Sequence, residues 1–164
     1  MSTILSIVYQ PVDQEYLPGQ EDYLRVPVDE ALLVAGHGIQ GDQKAGHHPK
    51  RHLNLLTYEW LQSLASLGYY TGPGQFGEQL VIQGLAPESL KAGNVLQLGD
   101  QACIELTKPR TGCERLELAQ GRSIAEIREG IGWLAKVITG GIIRVGDPVR
   151  VLTRAPVFAI LIPE

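Results

Sequence analysis

Cys113 is one of two cysteines in the chain, and it stands in KPRTGCERLELAQGR (108–122) with Lys108, Arg110, Arg115 and Arg122 close by. A thiol that packs as a small hydrophobe needs no charged company. A thiol that reacts or binds metal works as the thiolate and gains from nearby cations. The turn TGC hands over to a helix expected to begin near Glu114, whose partial positive end would add to the same effect, while Glu114 and Glu117 work against it. These residues suit a reactive or ligating thiol, and they also suit an incidental one.

Two further stretches carry polar chemistry. In GIQGDQKAGHHPKR (38–51), Gly38 and Gly41 free the backbone to approach a ligand, and His47, His48, Lys50 and Arg51, with His52 next, offer donors for a phosphate or a metal-oxo anion. A basic surface loop would read the same way. In GPGQFGEQLVIQGL (72–85), Gly77 and Glu78 stand just before an expected strand, which also describes a glycine-rich turn with a solvated carboxylate. The chain has no HExxH helix or paired CxxC for zinc, no P-loop, no strand-GxGxxG-helix and no GxSxG elbow.

The elements that must position these residues are short. With 19 glycines and 10 prolines in 164 residues, the chain turns often, and its length suits a single domain, 1–164, with its own core. Strands are expected at 3–9, 30–34, 52–57, 79–83, 133–139 and 148–153, with a hairpin over 95–107 turning at Gly99 and Asp100. Residues 140–147 read as a turn. A helix is expected at about 57–67, with Thr57 as N-cap and Trp60, Leu61, Leu64 and Leu67 on one face, and helical spacing recurs over 114–130. GNVLQL (93–98) echoes GDPVRVL (146–152), too briefly for a repeat. Many short strands with Gly/Pro turns imply a mainly β barrel or sandwich with two or three short inserted helices.

A formal net charge of −4 argues against a nucleic-acid surface, so any anion site is local. Two cysteines make no disulfide framework, and the amino terminus has no basic and apolar leader pattern, which points to a reducing cytoplasm. The longest apolar run, VFAILI (157–162), is too short for a membrane span.

GIQGD with Arg51 before an apolar strand, PGQFGEQL (73–80), LKAGNVLQLGDQACIELTKPRTGC (90–113) and GGIIRVGDPVRV (140–151) occur in an order that resembles the MOSC domain, named for the carboxyl-terminal domain of molybdenum cofactor sulfurase. The resemblance implies a MOSC-like β-barrel and a site around Cys113, as catalytic persulfide carrier or as ligand to the molybdenum of a pterin cofactor. It makes Gly41, Asp42, Arg51, Gly77, Lys108 and Arg110 cofactor-binding residues and gives Glu78 a catalytic part, orienting a donor or relaying protons. Family association adds pyridoxal phosphate as a further ligand.

Some relatives reduce N-hydroxylated small molecules. The resemblance therefore also implies a separate electron-donor or sulfur-donor protein, since this chain has no flavin motif and too few cysteines for an iron–sulfur cluster. Three positions depart from the family pattern. Gly112 stands where proline often precedes the cysteine, Gln79 where asparagine follows Gly-Glu, and Lys44 is displaced from the usual basic residue after Gly-Asp. Two other readings remain open: a non-catalytic β-barrel binding module for a cofactor or protein partner, and a metal-free cysteine enzyme using His47, His48 or His52 as base.

Overall fold

The computed structural model describes residues 1–18, 25–127 and 130–152. The apolar run at 157–162 lies outside these residues, as do parts of the helical spacing over 114–130 and of the expected strand at 148–153. Described in chain order are β1 (Thr3–Tyr9), β2 (Val26–Val28), β3 (Glu30–Val34), β4 (Gly38–Ile39), β5 (Leu53–Thr57), α1 (Tyr58–Ala65), β6 (Leu80–Gln83), a 3-10 turn (Pro87–Ser89), β7 (Val95–Leu98), β8 (Ala102–Pro109), α2 (Glu114–Gln120), β9 (Trp133–Thr139), β10 (Gly141–Arg144) and β11 (Val149–Leu152). No helix among the described residues is long and apolar enough to cross a membrane.

The strands form an eight-stranded sheet, β11-β7-β8-β9-β5-β6-β1-β2, and a three-stranded sheet, β10-β3-β4. Among the described residues only β5 and β6 pair in parallel, which requires the crossover that α1 supplies. The expectation of a barrel needs correction: no closed barrel is formed among the described residues. The large sheet curls until the start of β1 meets the segment leading into β11, through a Thr3–Pro148 bridge and a bond from Val149 N–H to the Ser2 carbonyl (2.9 Å). That contact is a single bridge and not a ladder, so β11 and β2 remain edges.

Alternation along the central strands fills two cores. Leu55, Leu80 and Ile82 point into one with Ile4, Leu96 and Ile104, while Leu56 and Val81 point into the other, which α1 and α2 cover with Leu61, Leu64 and Leu116. Strands buried on both faces read as near-continuous apolar runs, as LVIQ does and as LNLLT does apart from Asn54.

Two expected elements differ from those found. Residues 123–127 form a turn, because the Ser123 hydroxyl accepts the Ala125 N–H and diverts the backbone from a helix, while Ile124 is fully buried. Residues 141–144, expected as part of a turn, form β10, whose Ile142 and Ile143 pair with Leu32 and Ala31. Helix α1 ends at Ala65, leaving Leu67 exposed, and Thr57 occupies the N-cap position without a side-chain cap bond.

Candidate functional site

Strand β9 is the spine of the site. It lies between β5 and β8, and Leu134 has Asn54 on one side and Lys108 on the other as cross-strand partners. Period-two alternation places His52 on the face of Asn54, and Arg110 follows Lys108 two residues on. Arg110 leaves the strand while still bonded through its N–H to the Gly132 carbonyl (2.8 Å). Over this row opens a cleft of about 700 Å³, whose wall includes all five of these side chains and Cys113.

Cys113 is the N-cap residue of α2: its backbone is extended, and its carbonyl accepts from Leu116 N–H (3.0 Å) and Glu117 N–H (3.2 Å). Its side chain is exposed and free of disulfide. The preceding turn is held by packing, because a Cβ at Gly112 would overlap Cδ1 of Ile124 and of Ile131, both fully buried. The other end of α2 is sewn to the glycine loop by Gln120, which accepts from Tyr70 N–H (2.8 Å) and donates to the carbonyls of Tyr70 (2.8 Å) and Gln75 (3.1 Å).

That loop forms the facing wall. Gly77 has φ +71°, and a Cβ there would stand 3.0 Å from Arg110 Nη2, so the missing side chain is what lets the guanidinium lie against the backbone. Behind it the Glu78 carboxylate, almost fully buried, accepts from Gly74 N–H (2.7 Å) and Phe76 N–H (3.1 Å). Burial pushes the Glu78 carboxyl up, against the pull of those N–H groups and of Arg110. Phe76 anchors the loop from the other side, packed edge-on to Trp60 with centroids 5.5 Å apart.

Arg51, Gly77, Lys108, Arg110 and Cys113 are brought together in the cleft wall. Gly41, Asp42 and Glu78 are absent from that wall, and two of them support it from behind. Asp42 accepts from Gln10 N–H (3.0 Å) and from Gln79 Nε2 (3.3 Å), and Gln79 Oε1 accepts from Asn54 N–H (2.7 Å). The extra methylene of Gln79 thus reaches from Asp42 to the strand edge. Glu78 instead lines a second, separate cavity of about 580 Å³. Arg122, a neighbour of Cys113 in sequence, is turned away, lying over the Tyr69 ring at 3.9 Å and paired with Glu126 at 3.2 Å.

Sequence reasoning missed Arg25 and Asn54. Asn54 donates to the Gly77 carbonyl (3.0 Å), and a polar residue inside an apolar strand was the available signal for it. Arg25 carries no local signal, since folding alone brings it to the cleft.

Arg25, Lys44, Arg51, Lys108, Arg110 and Arg115 all line the cleft, and among the described residues no carboxylate does. Arg110 Nη1 is buried without a hydrogen-bond partner among the described residues. Burial holds the guanidinium below its ordinary range, opposed by Glu78 and by Cys113. Among the described residues no group of three His, Cys, Asp or Glu side chains could hold a metal ion, so a metal at Cys113 would need its remaining ligands from elsewhere. Of the histidines, His47 Nε2 lies 2.8 Å from the Gln43 carbonyl, and His48 Nδ1 accepts Lys50 N–H (3.0 Å).

A family model for the MOSC domain matches residues 41–150. A reductase of Gibberella moniliformis is 33% identical over 85 residues, which are 49% of this chain and 15% of that protein, so the chain spans a small part of that curated relative. The crystal structure of a hypothetical protein aligns at a TM-score of 0.72 with 26% identity over 94% of this chain and 70% of the other. That of YiiM from Escherichia coli aligns at 0.64 with 23% identity over 92% and 70%, a likeness of fold.

Proposed function

Because the chain belongs to the MOSC domain family, we propose that it binds a molybdenum cofactor of the pterin type in this cleft, with Cys113 as ligand to the metal or as persulfide carrier. The observation that carries the reading is the composition of one wall: among the described residues, a thiol and six cations without a carboxylate, in a chain of net charge −4. The buried Arg110 Nη1, without a partner among the described residues, fits an anionic group that needs a fixed donor, and a soft thiolate fits molybdenum or sulfane sulfur. When bound, the cofactor would supply the redox chemistry for reducing an N-hydroxylated small molecule, with electrons from a separate donor protein.

The chain's own residues bind and orient. Arg110, laid against Gly77, supplies charge for the anionic groups together with Lys108 and Arg51, whose chain neighbours Thr107 and Lys50 are joined by a hydrogen bond of 2.9 Å. Glu78 fixes the loop that positions Gly77 and thereby the guanidinium. Cys113, exposed at the mouth, is open to metal or to a sulfur donor.

Protein made in a host that synthesises the cofactor, analysed for molybdenum and for pterin fluorescence, tests this directly. Both are expected at one per chain, and Cys113→Ser is expected to lose the metal while melting at nearly the wild-type temperature. Absence of both from wild-type protein would leave the cleft as a binding module of another kind.

A further inference from the structure

Three polar side chains, two in the cleft wall and one behind it, are joined end to end. Asp42 Oδ1 accepts Gln10 N–H (3.0 Å) and its Oδ2 accepts from Gln79 Nε2 (3.3 Å), while Gln79 Oε1 accepts Asn54 N–H (2.7 Å). Asn54 Nδ2 then donates to the Gly77 carbonyl (3.0 Å). The row runs from the residue after β1 to the glycine that lies against the Arg110 guanidinium. Glu78 fastens Gly74 and Phe76 of the same loop and leaves the Gly77 carbonyl to Asn54.

Chemistry fixes the direction of every bond in this row. The backbone N–H groups of Gln10 and Asn54 can only donate, and the Gly77 carbonyl and a carboxylate can only accept. Turning the Gln79 amide over would set donor against donor at Asn54 and acceptor against acceptor at Asp42, and turning the Asn54 amide over would set two carbonyls together at Gly77. Asp42 and Gln79 are 4% and 2% exposed, so water does not relieve such a mismatch. The row has one arrangement, and it ends on the position of Gly77.

We infer that Asp42, Gln79 and Asn54 are positioning residues, which hold the Gly77 backbone, and through it the Arg110 guanidinium, where that group meets an anion. The inference rests on the reading of the cleft as an anion site. Asp42 is the telling member. It does not line the cleft, so apart from its charge it acts on a ligand only through the other two.

Asp42→Asn and Gln79→Glu, singly and together, test the row in full-length protein. Asp42→Asn leaves one acceptor for two donors, Gln10 N–H and Gln79 Nε2. Gln79→Glu sets two carboxylates against each other. Made together, the changes reverse one bond and keep the rest: the new amide at 42 donates to the new carboxylate at 79, whose other oxygen still accepts Asn54 N–H. Each single variant should weaken inorganic phosphate about tenfold and shift the Arg110 Nε–H signal of ligand-free protein labelled with 15N-arginine. The pair should return both towards wild type. Removal of a negative charge would by itself strengthen phosphate, so the fall expected for Asp42→Asn has the opposite sign from its charge effect.

Single variants that lose stability while phosphate affinity and the Arg110 signal stay in place would reduce the row to a support of the fold. A pair no better than its members would mean that the direction of the bonds is not what matters, and either result overturns the inference. Where the buried single variants do not fold, Asn54→Thr removes only the last bond, at a half-buried strand position, and an unmoved Arg110 signal there overturns it as well. Wild-type protein that binds no phosphate would remove the anion reading, and the Arg110 signal, read without ligand, would still decide the row.

Discussion

The two thiols differ by burial before any question of reactivity arises. Cys103, at 1% exposure, donates weakly to the Gln101 carbonyl at 3.7 Å, and burial pushes its thiol up despite Thr139. Cys113 is exposed. Brief iodoacetamide treatment of native, cofactor-free protein is therefore expected to modify Cys113 and spare Cys103 until the chain unfolds, and mass spectrometry reads both from one sample. Comparable labelling at Cys103 would mean that β8 opens readily. Glu78 makes a sharper case for a structural role. Glu78→Gln keeps the shape but sets an amide N–H₂ against one of two backbone N–H donors, Gly74 or Phe76, and should cost about 1–3 kcal/mol in urea unfolding. A neutral result would show that the carboxylate is not what holds the loop.

At the level of elements, the glycine loop and α2 set the geometry of the cleft, and they were unequally legible. Strands β3 and β9 fall where apolar and β-branched residues place them, and α2 starts where the TGC turn ends. The tie between α2 and the loop was not legible, because Gln120 meets Tyr70 and Gln75 across a sequence separation of 45–50 residues that no local pattern encodes. For the same reason the bonds that Asp42 makes to Gln10 N–H and Gln79 were not legible, and the bond of Glu78 to Gly74 N–H was not legible either. The 93–98 and 146–152 echo proves to be two strands that pair with each other, β7 and β11. Gly77→Ala is the test at this scale. It forces an alanine into the left-handed region, costing about 1–2 kcal/mol, and pushes on Arg110 Nη2. Phosphate or sulfate affinity should fall together with stability, whereas a stability loss alone would separate Arg110 from the anion.

For the molecule as a whole, charge is segregated: six of 14 Lys and Arg side chains line one cleft of an acidic chain. Anion binding should accordingly weaken as salt rises. Protons act on the whole fold through His52. Its folded pKa lies below the ordinary 6.5, so the unfolded chain takes up a proton there that the folded chain refuses. The unfolded state then binds more protons, and stability is lost as pH falls from about 6.5 toward the lowered folded value. Glu78 works the other way. Its folded pKa lies above the ordinary 4.5, so its contribution is lost as pH rises from about 4.5 toward the raised value. Urea unfolding between pH 7.5 and 5 should show wild type losing more stability on acidification than His52→Gln, and Glu78→Gln losing more than wild type. Parallel curves for wild type and His52→Gln would mean that His52 takes up its proton as readily folded as unfolded, against the burial that the sheet imposes on it.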